Sequence, residues 1–323
     1  MSNEPTSLQE AIIYFADADN CLNYLVARRW PDGVVSCPTC GKINPRYIPE
    51  RKVWQCSIKH PKRQFSVKLG TIFEDSPLGL DKWLPAVWLL SNCKNGISSF
   101  EIARDLDVTQ KTAWFMLGRI RLGLQAKDGG KLSGDVEADE SFIGGAARNM
   151  HKDVRARKIT GRGPEGKAIV AAVLERGGRV RAKVIPTRKK KDVQALVREH
   201  VEAESNVYTD ALKSYEGLSE FTHQVIDHAE AYVDGQIHTN GCENFWSLLK
   251  RGIGGTYISV EPFHLFRYVD EQAFRYNNRK DSLGEPMTDA QRFDIAVRQA
   301  IGKRLTWKEL TGKETSTQAE SAF

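Results

Sequence analysis

From residue 134 onward the apolar residues change period in a fixed order, and that order restricts the fold more than any other property of this 323-residue chain. "GDVEADESFIGG" alternates as a half-buried strand must, and "GKAIVAAVLERGGRVRAKVIP" reads as two strands joined across Gly177 and Gly178. A helical period follows over 188–204, then a strand in "NVYTDA", a helical stretch over 211–218 and a strand in "THQVIDHA". Two helices close the region, one in "HTNGCENFWSLLKRG" and a longer one in "EPFHLFRYVDEQAFRYNNR". Three strands, helix, strand, helix, strand, helix is the α/β arrangement of a mixed sheet with helices packed on its faces.

The chain before this region has a different character. Three cysteines fall within twenty residues as Cys37-x-x-Cys40 and, after fifteen residues, Cys56-x-x-x-His60. Two short-spaced pairs on two turns can meet around one tetrahedral Zn²⁺, and Pro38 and Gly41 suit the tight knuckle that aims both sulfurs at one ion. A set of buried thiols is the competing reading; a redox pair is disfavoured because no βαβ pattern surrounds it. Cys21, Cys93 and Cys242 sit at apolar helical positions and read as small core residues.

Helices are expected over 80–94, 98–106 and 109–124. The last two have helix-turn-helix spacing, with Ile102, Ala103 and Leu106 on one face, Val108 in the turn, Thr109 as cap, and Ala113, Met116 and Ile120 facing back. Gln110, Lys111 and Thr112 would then meet a major groove, with Arg119 and Arg121 near phosphates. An ordinary α-hairpin in a core is the alternative. "QAKDGGKLSG" reads as the linker, which divides the chain into a zinc module over 1–75, a helix-turn-helix-like unit over 76–126, a sheet domain over 127–290, and a C-terminal helix with a disordered tail over 291–323.

Within the sheet domain, three acids come from three separate elements. Asp139 follows strand residues 134–138 with Glu140 beside it, Asp210 ends a strand, and Glu243 lies on the helix after the last strand. On that helix Cys242, Phe245, Trp246, Leu248 and Leu249 share one arc, while Glu243, Ser247 and Lys250 share the other. A solvated outer face is the plain reading of Glu243 and Lys250. The other is that the acids converge at one end of the sheet, where mutual repulsion makes sense only with divalent cations between them; Mg²⁺ suits such a set, and Lys250 would reach a neighbouring phosphate. Asp135 and Glu137 alternate with Asp139 and are candidates for its place, and His223, Asp227, His228 and His238 form a weaker candidate metal set. The basic stretch "RNMHKDVRARKITGRGPEGK" reads as a loop that could track a DNA backbone or simply be solvated.

Composition narrows the partners. No run of about 18 apolar residues exists to span a bilayer, and the acidic start lacks a signal-peptide pattern, so a cytoplasmic protein without a membrane partner is expected. An excess of 47 Lys+Arg over 41 Asp+Glu permits nucleic-acid binding without requiring it.

"RWPDGVVSCPTCG", "RQFSVKLGTIFEDSPLGLDKW", "VEADESFIGG", "VYTDALKSY" and "HTNGCENFWSLLKRGIGGTY" together resemble bacterial insertion-sequence transposases that join an N-terminal zinc ribbon to a DDE catalytic domain. The resemblance runs from about residue 15 to 280. It implies a ribonuclease-H-like fold, Mg²⁺ (or Mn²⁺) as catalytic cofactor beside structural Zn²⁺, and double-stranded DNA as partner, both element ends and target. It implies catalytic roles for Asp139, Asp210, Glu243 and Lys250, the three acids holding magnesium, with Arg251 joining Gln110, Lys111, Thr112, Arg119 and Arg121 as DNA-binding residues. Relatives with Asn or His as the third ligand make Asn240 and His238 worth noting, and His60 stands where many carry a further cysteine. The activity implied is binding of terminal inverted repeats, then strand cleavage and transfer by two metal ions; two ends held together imply a homodimer or higher oligomer. A zinc-ribbon and helix-turn-helix regulator without catalysis, and a metal-dependent nuclease that does not join strands, are the competing functions.

Overall fold

The computed structural model describes residues 4–126, 130–145, 151–153, 156, 166–226 and 239–312. They divide into two compact units, one running to Gln125 and resuming at Lys280, the other spanning Ala126–Arg279. The first unit takes in both the residues expected as the zinc module and those expected as the helix-turn-helix-like unit.

In the first unit, α1 (Leu8–Phe15) and α2 (Ala18–Arg29) precede an antiparallel sheet of β1 (Arg46–Ile48), β2 (Val53–Gln55) and β3 (Gln64–Phe65). Three strands this short bury little, and Trp54 supplies most of their core, its ring 4.9 to 6.0 Å from those of Tyr47, Trp30 and Phe65. The helices α3 (Leu80–Asn92), α4 (Ser99–Asp105) and α5 (Gln110–Leu124) fall where the apolar period places them. Ser98 and Glu101 form a capping box at the start of α4, and the Thr109 hydroxyl accepts the Thr112 N–H at the start of α5. The C-terminal helices α9 (Asp289–Ala300) and α10 (Trp307–Leu310) return to this unit, where Phe293 packs against Phe15, Tyr24 and Trp88 at 5.0 to 5.5 Å. Lys303 closes the end of α5 by donating to the carbonyls of Leu122, Gly123 and Gln125.

That return corrects the expectation for Arg119 and Arg121. Both are buried, at 4% and 3% exposure, and the Arg119 Nε–H donates to the Leu305 carbonyl at 2.9 Å. Gly118 and Gly123 leave room for Leu310 and Ala300 to close over α5, so the side taken as solvent-facing is covered by a segment nearly two hundred residues away. A guanidinium enclosed there does not reach a DNA phosphate.

The second unit is built on β4 (Asp135–Ile143), β5 (Ala168–Glu175), β6 (Val180–Ile185), β7 (Asn206–Asp210) and β8 (Thr222–Ile226), in spatial order β6-β5-β4-β7-β8. Strands β6, β5 and β4 pair antiparallel and β4, β7 and β8 parallel, which is the ribonuclease-H-like sheet. Helix α6 (Lys190–His200) covers one face, placing Val193, Leu196 and Val197 on Val136, Ala138, Ala171, Val173 and Val207. Helices α7 (Asn240–Arg251) and α8 (Pro262–Asn277) cover the other through Cys242, Phe245, Trp246, Leu249, Leu265 and Val269. Residues 211–218 form only one 3₁₀ turn, Lys213–Tyr215, because Tyr215 turns into the core and Gly217 takes φ 84°. Strand β4 is longer than expected: β5 stays paired with it through Ile143, so Asp139 lies inside the strand and not after it.

Candidate functional site

The zinc centre is assembled from two loops of the small sheet. Cys37 Sγ and Cys40 Sγ each lie 3.5 Å from His60 Nε2, and Cys40 Sγ lies 3.6 Å from Cys56 Sγ. Ligand radii of ~2.3 Å for sulfur and ~2.0 Å for nitrogen give tetrahedron edges of about 3.5 to 3.8 Å, so the four atoms already have the spacing of a Zn²⁺ site. His60 Nδ1 is 2.6 Å from the Pro61 carbonyl, which fixes the proton on that nitrogen and leaves Nε2 to bind metal. Ligand atoms of all four residues fall within 4.8 Å of one another. Structural zinc fits this donor set, and His60 completes it.

The acids of the second unit are arranged by strand register. Ala138 pairs with Thr209 across parallel β4 and β7. Asp139 and Asp210 are the next residues on each strand, so their side chains leave the same face of the sheet on neighbouring strands about 4.8 Å apart. The Asp139 carboxylate accepts the Glu140 N–H through Oδ1 and the Trp246 indole N–H through Oδ2, both at 2.8 Å. Burial, with the charges of Glu140 and Asp210, pushes its carboxyl up to about 6 against the indole's opposing pull.

Trp246 belongs to α7, one turn beyond Glu243, and its bond ties that helix to the acidic end of the sheet. Glu243 is exposed there, and Lys250 and Arg251 are exposed at the far end of the helix. The structure thus brings Asp139 beside Asp210 and joins α7 to Asp139, but among the described residues no three acids have ligand atoms all within 4.8 Å of one another. Two carboxylates on adjacent strands, one of them desolvated, suit Mg²⁺, which commonly takes one or two protein carboxylates and completes its shell with water and substrate phosphate.

The alternatives to Asp139 are engaged elsewhere. Asp135 accepts from the Asn206 amide and the Tyr208 hydroxyl, and Glu137, 1% exposed, accepts from Arg176 and from the Cys242 N–H. Glu140 points to the opposite face, where Arg188 Nε donates to it at 2.7 Å and the Tyr215 hydroxyl at 3.0 Å. Burial raises its carboxyl against the pull of Arg188. His223 accepts or donates at Thr209 Oγ1, 2.9 Å away, while Asp227, His228, His238 and most of the basic stretch over 148–167 lie outside the described residues. Asn240 opens α7 and is exposed. In the first unit, Gln110 and Lys111 are exposed and Thr112 half-buried at the start of α5; Gln110 donates to Ser99 Oγ, and the Lys111 ammonium sits 4.9 Å from the centre of the Trp307 ring.

Sequence reasoning named Glu137 only as a candidate for Asp139's place and Glu140 only as its neighbour, and it missed Trp246 and the Arg188 and Tyr215 that engage Glu140. Trp246 reads as one more member of an apolar stripe, and nothing in its spacing says where the indole N–H points.

A zinc ribbon joined to a ribonuclease-H-like domain with aspartates side by side on neighbouring parallel strands defines a nucleic-acid-processing protein of the DDE transposase class. Residues 131–277 match the ISXO2-like transposase domain and residues 16–58 the transposase zinc-ribbon domain. A protein of Halobacterium salinarum described as an uncharacterized protein in transposable element ISH50 is 30% identical over 252 residues, covering 73% of this chain and 83% of the relative. An uncharacterized transposase-like protein of Haemophilus influenzae is 33% identical over 97 residues, 29% of this chain and 78% of that one. The chain belongs to the ISXO2-like transposase family. The ribbon match ends at residue 58, two residues before His60, so it is the geometry that supplies the fourth zinc ligand. Among the described residues no helix is long and apolar enough to cross a membrane.

Proposed function

We propose that this transposase binds the terminal inverted repeats of its own element, cuts there, and joins the freed 3′ ends to target DNA in a Mg²⁺-dependent reaction. The observation that carries the reading is the placement of Asp139 and Asp210 side by side on parallel strands, with α7 bonded to Asp139 through Trp246. Asp139, Asp210 and Glu243 would hold the metal. When bound, a pair of Mg²⁺ ions supplies activation of the attacking oxygen and stabilisation of the leaving one.

The chain's own residues do the rest. The Trp246 N–H and the Glu140 N–H orient the Asp139 carboxylate, and with its carboxyl raised to about 6 by burial it is ionised at neutral pH and would offer both oxygens to a metal. Lys250, two turns along α7 from Glu243, offers a point charge to a DNA phosphate, and Arg251 beside it does the same. Gln110, Lys111 and Thr112 at the exposed start of α5, together with the zinc ribbon, would recognise the element's ends. Holding two ends at once calls for at least a homodimer.

The test is incubation of purified protein with Mg²⁺ and DNA carrying the element's ends, comparing wild type with Asp139→Ala, Asp210→Ala and Glu243→Ala. Cleavage and joining are expected to vanish in each variant while end binding persists. Cleavage without joined product in wild type would mark a nuclease, and end binding without any cleavage a regulator; unchanged activity in one variant would remove that residue from the catalytic set.

A further inference from the structure

Helix α7 begins without a cap of its own, since the Thr239 side chain makes no capping bond. The first turn of a helix carries unpaired N–H groups and a partial positive charge, and burying it unmet is costly. Here the sheet supplies the missing partner. Glu137, in the middle of β4 and 1% exposed, accepts the Cys242 N–H through Oε2 at 3.0 Å and the Arg176 Nε–H through Oε1 at 3.1 Å. The Arg176 guanidinium lies 3.9 Å from the centre of the Tyr208 ring, on the strand next to β4.

The approach is close enough to dictate a glycine. A Cβ at Gly241 would come within 2.8 Å of Glu137 Oε2 and of Leu174 Cδ2, although Gly241 is not in the left-handed region and needs no conformational freedom. Glu137 precedes Asp139 by two residues and so shares its face of β4. Cys242, which it grips, precedes Glu243 directly. One buried carboxylate therefore links the strand that carries one acid to the helix turn that carries another.

We infer that Glu137 is a positioning residue of the metal site: with Arg176 it fixes the start of α7 against β4, and so sets where the Glu243 carboxylate stands relative to Asp139. This rests on the reading of Glu243 as a metal ligand. Glu137 itself does not touch the metal, because its two oxygens are engaged and it is enclosed.

The test uses full-length, zinc-loaded protein with Mn²⁺ as probe, its affinity read by electron paramagnetic resonance. Variants are Glu137→Gln, Gly241→Ala, Glu243→Ala and the double variant Glu137→Gln/Glu243→Ala. Glutamine keeps the shape but offers one acceptor where two are used. Glu137→Gln is expected to weaken Mn²⁺ binding about tenfold or more, as loss of a group that orients a metal ligand does, with zinc content and circular dichroism unchanged. Gly241→Ala, which presses on the same contact from the helix side, is expected to act likewise, and it decides the matter alone if Glu137→Gln does not fold. In the Glu243→Ala background the Glu137 change is expected to add nothing. Wild-type affinity in both Glu137→Gln and Gly241→Ala, with Glu243→Ala weakened, would overturn the positioning role alone. An equal further loss in the double variant would also overturn it, because the effect would not run through Glu243. Unchanged affinity in Glu243→Ala would remove the ligand reading and this inference with it.

Discussion

Asp139 is held in a place that opposes its ionisation, so replacing it by asparagine is expected to stabilise the metal-free protein at neutral pH. Its carboxyl stands at about 6 against an ordinary value of 3.8, chiefly through burial and the nearby acids. A carboxyl whose pKa is raised by folding binds more protons folded than unfolded between those values, so its contribution to stability falls as pH rises from about 4 to about 6. Roughly two pH units at 1.36 kcal/mol each put the cost near 3 kcal/mol above that window. Asparagine carries no such cost but keeps one oxygen where the Glu140 N–H and the Trp246 N–H now use two, a loss of about 1 kcal/mol. The net expectation for Asp139→Asn is a gain of about 2 kcal/mol at pH 7.5, turning to a loss of about 1 kcal/mol at pH 4.

Calorimetry in metal-free buffer, on protein that retains its zinc, would show the gain as a rise of about 4 to 8 °C in the transition of the sheet unit. Added Mg²⁺ is expected to raise the wild-type transition and leave the variant's in place. A gain of equal size at both pH values, or a destabilised variant at pH 7.5, would show that burial of the Asp139 charge does not oppose folding.

Other parts of the structure carry expected outcomes of their own. Purified protein is expected to carry about one zinc per chain, and His60→Ala to lose it by metal analysis together with end binding; a zinc-free preparation that still folds and binds ends would remove the centre from the account. Arg119→Ala is expected to cost about 1 to 3 kcal/mol of stability in denaturant titrations without changing the salt dependence of DNA binding, whereas Lys111→Ala is expected to reduce the slope of log affinity against log salt by about one unit.

Much of this protein is written in local pattern. The Cys37, Cys40, Cys56 and His60 spacing, the helices at α3, α4 and α5, and the strands β5 and β6 around Gly177 and Gly178 follow from period and turn chemistry acting over a few residues, which is why they are readable without coordinates. The apolar stripe of α7 likewise predicts which side of that helix is buried. Long-range contacts decided the remainder. Arg119 and Arg121 read as phosphate-facing until α9 and α10 close over α5, and no local rule reports a cover contributed by distant residues. Asp139 stands next to Asp210 only because of the register between β4 and β7, whose sequence positions are about seventy residues apart. The roles of Glu137 and Trp246 depend on where single N–H groups point across a helix-to-sheet interface. Periodicity tells a side chain which way to face; only the folded packing determines what it meets there.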